Sequence, residues 1–396
     1  MTLSSLLLRF NEPETLKMAK LGRELKAKGI DITDLSLGEP DFDTPDHIKQ
    51  AAKQAIDENF SHYTPVAGFL DLRQAVCEKL KRDNKLEYEP ENIVISTGAK
   101  QSIANTVLSI VDIDDEVIIP TPYWVTYSEI VRLAGGIPKL VKTSLDNGYK
   151  ITPGELETAI TGRTRLFMFS SPCNPSGAVY SKEELAALAA VFSKHPAVFI
   201  MSDEIYEYIN FRGAHESIAQ FDFLKDQVIL VNGMSKGFAM TGWRLGYIAA
   251  PVEIAKACDK IQGQFTSGAN AVTQRAAIAA LYGDMDPTYA MLKEFKRRRK
   301  RVMELMLDIP HLTCSEPEGA FYVFPVVKHY FGKTDGHQVI NNADELCMYL
   351  LNTANVSTVT GKAFGEPDCI RISFANSMAN IEKGFAKIKT ALANLK

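Results

Sequence analysis

The 396-residue sequence lacks the cysteine and histidine spacings that mark disulfide frameworks and structural metal sites. Its six cysteines are scattered and form no C-x-x-C pair, and its seven histidines include no H-E-x-x-H. Scattered cysteines are typical of free thiols in a reducing compartment. The sequence therefore predicts a cytoplasmic protein with neither a disulfide frame nor a metal site.

Long apolar runs are also missing. No run approaches the roughly 20 residues that a membrane-spanning helix needs. The N-terminal MTLSSLLLRFNEPE holds only three successive leucines before Arg9, which is too short for a signal peptide. We therefore expect no association with a membrane.

Neither sign of charge dominates, since 44 Lys+Arg stand against 48 Asp+Glu, a formal net charge of -4. One basic run, KEFKRRRKR at 293–301, lies in a helical pattern. The apolar positions near one face of that helix are Leu292, Phe295, Val302 and Met306. Basic residues on the other faces are typical of a solvated helix, so no nucleic-acid partner is predicted.

The sequence does contain short apolar runs that alternate with helical patterns. Five runs are expected to be strands: 92–97, 115–120, 163–170, 197–203 and 227–233. Strands that alternate with helices predict an α/β fold with a mainly parallel sheet, buried on both faces. The length and the 46% hydrophobic content allow more than one domain.

The C-terminal part has a different pattern. GAFYVFPVV (319–327) and DCIRISFAN (368–376) are expected to be strands surrounded by helices, in a smaller α+β domain. LSLGEPDFDTP is rich in turn formers, so the N-terminus is expected to be an arm that contributes to the small domain. The predicted boundaries are 1–45 for the arm, 46–290 for the large domain and 291–396 for the small domain.

Several residues whose side chains are suited to catalysis or ligand binding follow the predicted strands, at the sheet edge where parallel sheets bind ligands. They are Trp124, Asn174, Asp203, Tyr206 and Lys236. Each alone also fits an ordinary structural role in packing, a turn, a cap or an exposed position. Their shared position predicts one site that combines a lysine nucleophile, an acid, an aromatic ring and hydrogen-bonding groups.

The loop after the first predicted strand has the features of an anion site. Gly98, Ala99 and Lys100 follow a strand and open a helix, and the amides at a helix N-terminus attract negative charge. Ser235 and Arg244 are further donors. The chain contains neither G-x-x-x-x-G-K-[ST] nor G-x-G-x-x-G, so we expect a single phosphate rather than a triphosphate or a dinucleotide.

Six segments can be compared with known families: LSLGEPDFDTP, HYTPVAG, SPCNPSG, SDEIY, SKGFAMTGWRLGY and IRISFA. Together they resemble the fold-type I, class I aminotransferases that use pyridoxal 5'-phosphate (PLP). GAKQ and PYWVTY are similar to the Ib branch of aspartate aminotransferases. The resemblance covers nearly the whole chain. It implies a large α/β domain with a mainly parallel seven-stranded sheet and a smaller α+β domain.

The resemblance also implies roles in holding the cofactor ring. Lys236 is similar to the lysine that bonds PLP covalently, and Asp203 would pair with the pyridinium nitrogen. Tyr206 and Asn174 would hydrogen-bond the phenolic oxygen of PLP, and Trp124 would stack on the ring.

A second set is implied for the phosphate of PLP. The backbone of Ala99 and Lys100, together with Ser235 and Arg244, would hold it. Tyr63 is at the family position that reaches the phosphate of the neighbouring subunit. The resemblance therefore implies a homodimer with shared active sites.

For the substrate, the resemblance implies that Arg371 clamps the α-carboxylate with help from the Gly38 backbone, and that Trp124 and Asn174 also contact the substrate. A guanidinium matches a carboxylate with two parallel hydrogen bonds. The alternating strand pattern around Arg371 equally allows a charged residue on a solvated strand face.

The implied reaction is ping-pong transamination from L-aspartate, or a related amino acid, to 2-oxoglutarate, with Lys236 as general base. Lys100 is either the residue that meets a distal carboxylate or a phosphate-loop or surface lysine. Glu14 stands where the family often has a small hydroxyl residue, and there it would repel a dicarboxylate unless it points away. Cys173 replaces the usual asparagine before Asn174, with a small expected effect.

A fold does not fix the reaction type. Aromatic and prephenate aminotransferases, C–S β-lyases and aminocyclopropane-carboxylate synthases share these motifs, so they remain alternatives. Formation of pyruvate and ammonia from cystathionine, without a keto acceptor, would indicate a lyase.

Overall fold

The computed structural model describes residues 3–12 and 14–396, and the side chains of all these except 14–17 and 19. The α-helices in this part are α1 Glu14–Ala27, α2 Asp46–Asp57, α3 Leu70–Lys79, α4 Ala99–Ile110, α5 Thr126–Ala134, α6 Pro153–Ala159, α7 Lys182–Phe192, α8 Val252–Phe265, α9 Ala271–Tyr282, α10 Asp286–Leu307, α11 Ala343–Ala354 and α12 Met378–Ala393. The strands are β1 Thr33–Asp34, β2 Ile93–Ser96, β3 Glu116–Pro120, β4 Ile137–Val141, β5 Thr164–Ser170, β6 Phe199–Asp203, β7 Val228–Gly233, β8 Gly246–Ala249, β9 Tyr322–Val323, β10 Lys333–Thr334, β11 Val339–Ile340, β12 Val356–Ser357, β13 Val359–Thr360 and β14 Ile370–Ser373.

Seven strands form the central sheet, in the order β2-β8-β7-β6-β5-β3-β4. Neighbours are parallel except where β8 meets β2 and β7. Both faces are buried. Along β7, for example, Ile229 and Val231 pack in one hydrophobic cluster and Leu230 in another. The predicted α/β fold and its five strands, now β2, β3, β5, β6 and β7, are confirmed.

Two strands of this sheet escaped the sequence analysis. β4 lies at the sheet edge and is only partly buried. It contains Pro138 and Lys139, which are typical of edge strands but weaken the strand signal. β8 is only four residues long and begins with Gly246, so it has no recognisable strand period.

The C-terminal part contains short sheets with α11 and α12. β13, β14 and β9 form an antiparallel three-stranded sheet, so each predicted C-terminal strand is present but shorter than its apolar run. β1 pairs in parallel with β12, which joins the N-terminal segment to this part. The boundaries at residues 45 and 290 stay a prediction, and α10 crosses residue 290 as one continuous helix.

The basic run at 293–301 lies on α10, as predicted, but one of its members is not solvated. The Arg298 side chain is 6% exposed and pairs with Asp41 at 2.6 Å and with Glu294 at 2.9 Å. Its guanidinium also lies 4.9 Å from the centre of the Phe42 ring. Arg298 therefore anchors the N-terminal segment to α10.

The six cysteines are free thiols, buried or half-buried. In residues 3–12 and 14–396, no helix has both the length and the hydropathy required to cross a bilayer. Across the same ranges no three His, Cys, Asp or Glu side chains are grouped so that they could hold a metal ion.

Candidate active site

A cavity of about 400 Å³ opens at the carboxyl ends of the central strands. The predicted site residues that line it are Gly38, Ala99, Lys100, Trp124, Asn174, Asp203, Tyr206, Ser235, Lys236, Arg244 and Arg371. They come from the N-terminal segment, the ends of the five strands β2, β3, β5, β6 and β7, the segment before β8, and β14. The fold therefore brings together residues that lie more than 300 positions apart in the chain.

Lys236 follows β7 and reaches across the cavity. Its Nζ donates a hydrogen bond to the carbonyl oxygen of Gly38 at 2.5 Å. Burial lowers the pKa of Lys236 to about 8, with Arg371 and Arg244 acting in the same direction and Glu39 against it. A substantial fraction of this amine is therefore neutral near physiological pH, as a nucleophile or a base requires.

Asp203 ends β6 at the cavity and is almost completely buried. The Tyr127 hydroxyl donates to its carboxylate at 2.7 Å, and the backbone amide of Ile205 donates at 3.2 Å. Burial raises the pKa of Asp203 to about 6, while both hydrogen bonds oppose the rise. The carboxylate is thus mostly ionised at neutral pH and available to a cationic N–H group of a ligand.

Arg371, on β14, is 2% exposed. Its Nη1 donates to Oδ1 of Asn174 at 3.0 Å and its Nη2 to the carbonyl oxygen of Ser36 at 2.6 Å. Among the described residues its hydrogen-bond partners are these two neutral groups, and Nε has no partner. The solvated-face alternative is therefore wrong. A buried guanidinium with neutral partners and a spare donor is suited to an anionic ligand.

Two glycines shape the predicted anion site at the start of α4. Gly98 has φ +83°, and a Cβ there would lie 2.4 Å from Nη2 of Arg244. A Cβ on Gly246 would lie 2.2 Å from the amide nitrogen of Ala99. Only glycine lets the helix N-terminus, Arg244 and β8 approach this closely. Ser235, which is buried, lines the same cavity.

The side wall of the cavity combines an aromatic ring with a cation. Nζ of Lys100 lies 5.0 Å from the centre of the Trp124 ring. Burial lowers the pKa of Lys100, and the nearby charge of Arg244 lowers it further. Neighbouring residues partly desolvate the amine, but Lys100 as a whole is exposed and lines the cavity, so a ligand can reach it.

Several residues of the cavity could not be identified from the sequence. Tyr322 on β9 exchanges a hydrogen bond with the Tyr206 hydroxyl at 2.8 Å, and its ring centre lies 4.5 Å from the Arg371 guanidinium. Tyr127 supports Asp203, as described above. Glu39 and Arg23 also line the cavity. Tyr127 and Tyr322 lie within the quoted PYWVTY and GAFYVFPVV, but nothing in those patterns separates them from core tyrosines.

Three sequence-level candidates lie apart from this cavity wall. Tyr63 is 99% exposed and does not line the cavity. Cys173 is buried, and its Sγ faces the carbonyl oxygen of Pro122 at 3.6 Å. Glu14 begins α1, but its side chain lies outside the described residues.

The lowered pKa of Lys236 predicts that Lys236→Met stabilises the ligand-free protein at pH 7. The folded state binds the Lys236 proton more weakly than the unfolded chain does. Below pH 8 the amine is protonated in both states, so the buried charge has its full destabilising effect on the folded protein. We expect the substitution to raise the free energy of unfolding by about 1–2 kcal/mol. This is less than the pKa shift of Lys236 alone implies, because the side chain is only half-buried and its hydrogen bond to Gly38 is lost.

This gain should shrink as the pH rises from about 8 to 10.5, because the native amine is then increasingly neutral in both states. Thermal unfolding at pH 7 and at pH 10 measures it. Lys225→Met, at an exposed position outside the cavity, is the matched control. A Lys236→Met protein that is less stable than the native one at pH 7 would contradict the prediction.

Comparison with known proteins gives matches over almost the whole chain. The family model described as "Aminotransferase class I and II" matches residues 30–388. A bifunctional aspartate aminotransferase and glutamate/aspartate-prephenate aminotransferase of Petunia hybrida is 44% identical, covering 97% of this chain and 81% of that protein. An aspartate/prephenate aminotransferase of Cereibacter sphaeroides is 42% identical, covering 99% of each.

The fold also matches solved structures. The crystal structure of the aspartate aminotransferase from Rhizobium meliloti superimposes with a TM-score of 0.96, at 40% identity over 100% of both chains. The likeness therefore includes the sheet, the C-terminal part and the segments that meet at the cavity.

Proposed function

This chain belongs to the family of class I and II aminotransferases, and on that premise we propose that it is a PLP-dependent enzyme that transfers the amino group of L-aspartate, or a related amino acid, to 2-oxoglutarate. The observation that carries the proposal is the meeting of Lys236, Asp203 and Arg371 in one cavity. It combines a partly neutral amine, a buried carboxylate and a buried guanidinium with no carboxylate partner.

The cavity residues fit PLP. Lys236 has the lowered pKa that covalent capture of an aldehyde requires, and Asp203 would pair with the ring nitrogen. The cradle of Gly98 and Gly246 brings the N-terminus of α4 and Arg244 to one point, where they would hold the phosphate. When bound, PLP supplies an electron sink for the charge that develops at the substrate Cα.

The remaining ring contacts follow from the same placement. Tyr206 and Asn174 line the cavity and would hydrogen-bond the phenolic oxygen, while Trp124 would lie against the ring. The Tyr322 hydroxyl and the Arg371 guanidinium already hold Tyr206 and Asn174 in place. Ser235 would add a donor to the phosphate.

Arg371 would bind the α-carboxylate of the amino acid. Its two partners, the Asn174 side chain and the Ser36 carbonyl, fix the plane of the guanidinium without neutralising it. A bidentate contact would then orient the substrate so that its Cα faces Lys236. The Gly38 backbone, which contacts Lys236 in this structure, lies at the same end of the cavity.

Lys236 would take the proton from the substrate Cα and then deliver it to the reactive carbon of the cofactor. A base is most effective when its pKa lies near the working pH, and the value of about 8 meets that condition. Water would then supply the carbonyl oxygen of the departing oxo acid while the amino group stays with the bound cofactor, and a second oxo acid would take that amino group up by the reverse steps. The kinetics should therefore be ping-pong.

The test is an assay of purified protein, supplied with PLP, for oxaloacetate and glutamate from L-aspartate and 2-oxoglutarate. Ping-pong kinetics predict parallel lines in double-reciprocal plots of the initial rate against the aspartate concentration, at several fixed concentrations of 2-oxoglutarate. Pyruvate and ammonia from cystathionine, formed without an acceptor, would replace it with the β-lyase alternative. No activity on any amino acid would overturn it.

Lys100→Ala is expected to lower kcat/KM for aspartate about two- to fivefold, which corresponds to the loss of one accessible ion pair, and to leave kcat/KM for alanine nearly unchanged. The reason is that only aspartate has a distal carboxylate to meet the Lys100 amine at the cavity wall. Steady-state kinetics with both donors measures the difference. Equal losses for the two amino acids would assign Lys100 to the phosphate loop instead.

Prephenate amination is a second candidate. It is favoured by the names of the Petunia and Cereibacter relatives, which include prephenate, a dicarboxylic oxo acid. Lys100 and Arg23, both on the cavity wall, are cations available to its second carboxylate. Comparing kcat/KM for prephenate and for 2-oxoglutarate, with aspartate as donor, decides which acceptor the cavity prefers.

We further propose a cytoplasmic homodimer. The six free thiols favour a reducing compartment. Tyr63 is exposed on the single chain, as expected of a residue that reaches the phosphate site of a partner. Light scattering tests the dimer. Tyr63→Phe should weaken PLP binding without dissociating the subunits.

A further inference from the structure

The turn after β6 has two faces. Asp203 and Tyr206 line the cavity, whereas Glu204 and Glu207, 1% and 6% exposed, do not line it. Backbone hydrogen bonds shape this turn, from the Glu207 amide to the Glu204 carbonyl at 2.9 Å and from Ile209 to Tyr206 at 2.8 Å. The turn therefore links the two glutamates to Tyr206, which lies between them, and to Asp203, which directly precedes Glu204.

Glu204 is held by three donors. Its Oε1 accepts from the hydroxyls of Ser202 at 2.8 Å and Ser217 at 2.6 Å. Its Oε2 faces Nε2 of His215 at 2.8 Å, and the His215 side chain is 5% exposed. Nδ1 of His215 has no hydrogen-bond partner among the described residues, so the contact with Glu204 is the single hydrogen bond of the imidazole ring there.

Glu207 is held in the same manner. Nζ of Lys79, whose side chain is 1% exposed, lies 2.5 Å from its carboxylate. The side-chain amides of Asn84 and Asn232 donate to it at 2.8 Å and 2.7 Å. Asn232 belongs to β7, the strand that leads into Lys236. The cluster therefore touches both segments that carry the reacting groups.

The charges of this cluster balance only when His215 is protonated. Burial lowers the pKa of His215, but Glu204 and Glu207 outweigh it and raise the pKa above its ordinary value. Lys79 is the other cation and acts against protonation. The remaining titratable groups that face the cluster are the phenols of Tyr88, Tyr208 and Tyr247, which burial keeps neutral, with Asp83 beyond Tyr208. Two carboxylates then stand against two cations.

We propose that Glu204 and His215 are positioning residues of this enzyme, a buried ion pair that fixes the Asp203–Tyr206 turn and balances charge directly behind Asp203. Its catalytic consequence rests on the proposed function. Glu204 follows Asp203 in the chain, and its negative charge already raises the pKa of Asp203, although less than burial does. Without the positive charge of His215, nothing in this ion pair offsets the repulsion between the Glu204 and Asp203 carboxylates.

The test compares three variants by the pH profile of kcat/KM. His215→Gln keeps a side-chain donor but removes the charge, so Asp203 ionises at higher pH and the acid limb of the profile moves up by about one pH unit. The double variant with Glu204→Gln removes both charges and should return the limb to the native position. Ser217→Ala, which removes a hydrogen bond but no charge, should not move it.

A limb that stays in place in His215→Gln, or that moves equally in the double variant, would overturn the proposal. The return in the double variant separates charge balance from simple structural damage, because the double variant loses more native contacts than the single one.

A second measurement does not depend on activity. In full-length protein labelled with ¹⁵N-histidine and without cofactor, the His215 signal should remain that of imidazolium above pH 6.5, the ordinary value. Glu204→Gln should convert it to neutral imidazole. A neutral His215 at pH 6.5 in the native protein would overturn the ion pair even if the enzyme transaminates. An imidazolium signal in a protein that does not transaminate would overturn only the proposed function.

Discussion

Lys236→Ala reduces steady-state transamination by at least about 10⁴-fold, the upper end of what a positioned general base contributes. Lys236 would supply two functions from one atom, the covalent hold on the cofactor and the transfer of the Cα proton. The other lysine of the cavity, Lys100, has its amine beside Trp124 rather than at the centre. Nothing in the described cavity wall therefore replaces the lost amine.

Initial rates at saturating aspartate and 2-oxoglutarate measure this loss. Lys100→Ala is the matched control, because it removes an amine from the same cavity but should keep most of kcat. Unfolding does not explain a lost activity, since removal of the Lys236 charge is expected to stabilise the protein. Turnover within tenfold of the native rate would contradict the role of Lys236.

Arg371→Ala should lower kcat/KM for aspartate by the equivalent of about 2–5 kcal/mol, or roughly 30- to 5000-fold. The guanidinium is buried, and its partners in the protein, Asn174 and the Ser36 carbonyl, carry no charge. A substrate carboxylate would supply the missing negative charge in a desolvated place, where such a contact is strongest. Loss of the guanidinium also frees Asn174, so orientation suffers together with affinity.

Arg371→Lys separates charge from shape. It keeps the cation but loses the planar fork, and we expect an intermediate loss. Arg298→Ala is the control for removal of a buried arginine, because Arg298 lies on α10, is paired with Asp41 and does not line the cavity. It should lower the melting temperature and leave kcat/KM largely unchanged. An unchanged kcat/KM in Arg371→Ala would refute the clamp.

The central strands could be predicted because their signal is local. Short apolar runs bounded by turns, such as 163–170 and 227–233, became β5 and β7 with shifts of one residue. Edge strand β4 was missed because Pro138 and Lys139 interrupt its pattern. β8 was missed because four residues opening with glycine have no recognisable period.

The site residues also divide into those placed by local sequence order and those brought together by long-range strand pairing. Residues that follow strands, such as Asp203 and Lys236, could be placed at one sheet edge from order alone. Arg371 and Tyr322 meet because β14 pairs with β9, with Ser373 opposite Tyr322, and such long-range register is not written in either segment. Roles beyond placement came from the family resemblance, and they stay predictions.

The central claim is that Lys236 and its cofactor carry the amino group between two substrates. The most direct test mixes the PLP-loaded protein with L-aspartate and no oxo acid, and measures oxaloacetate over time. The account predicts about one equivalent per chain, then no further product until 2-oxoglutarate is added. Continuous product without an acceptor, or no oxaloacetate at all, would contradict it.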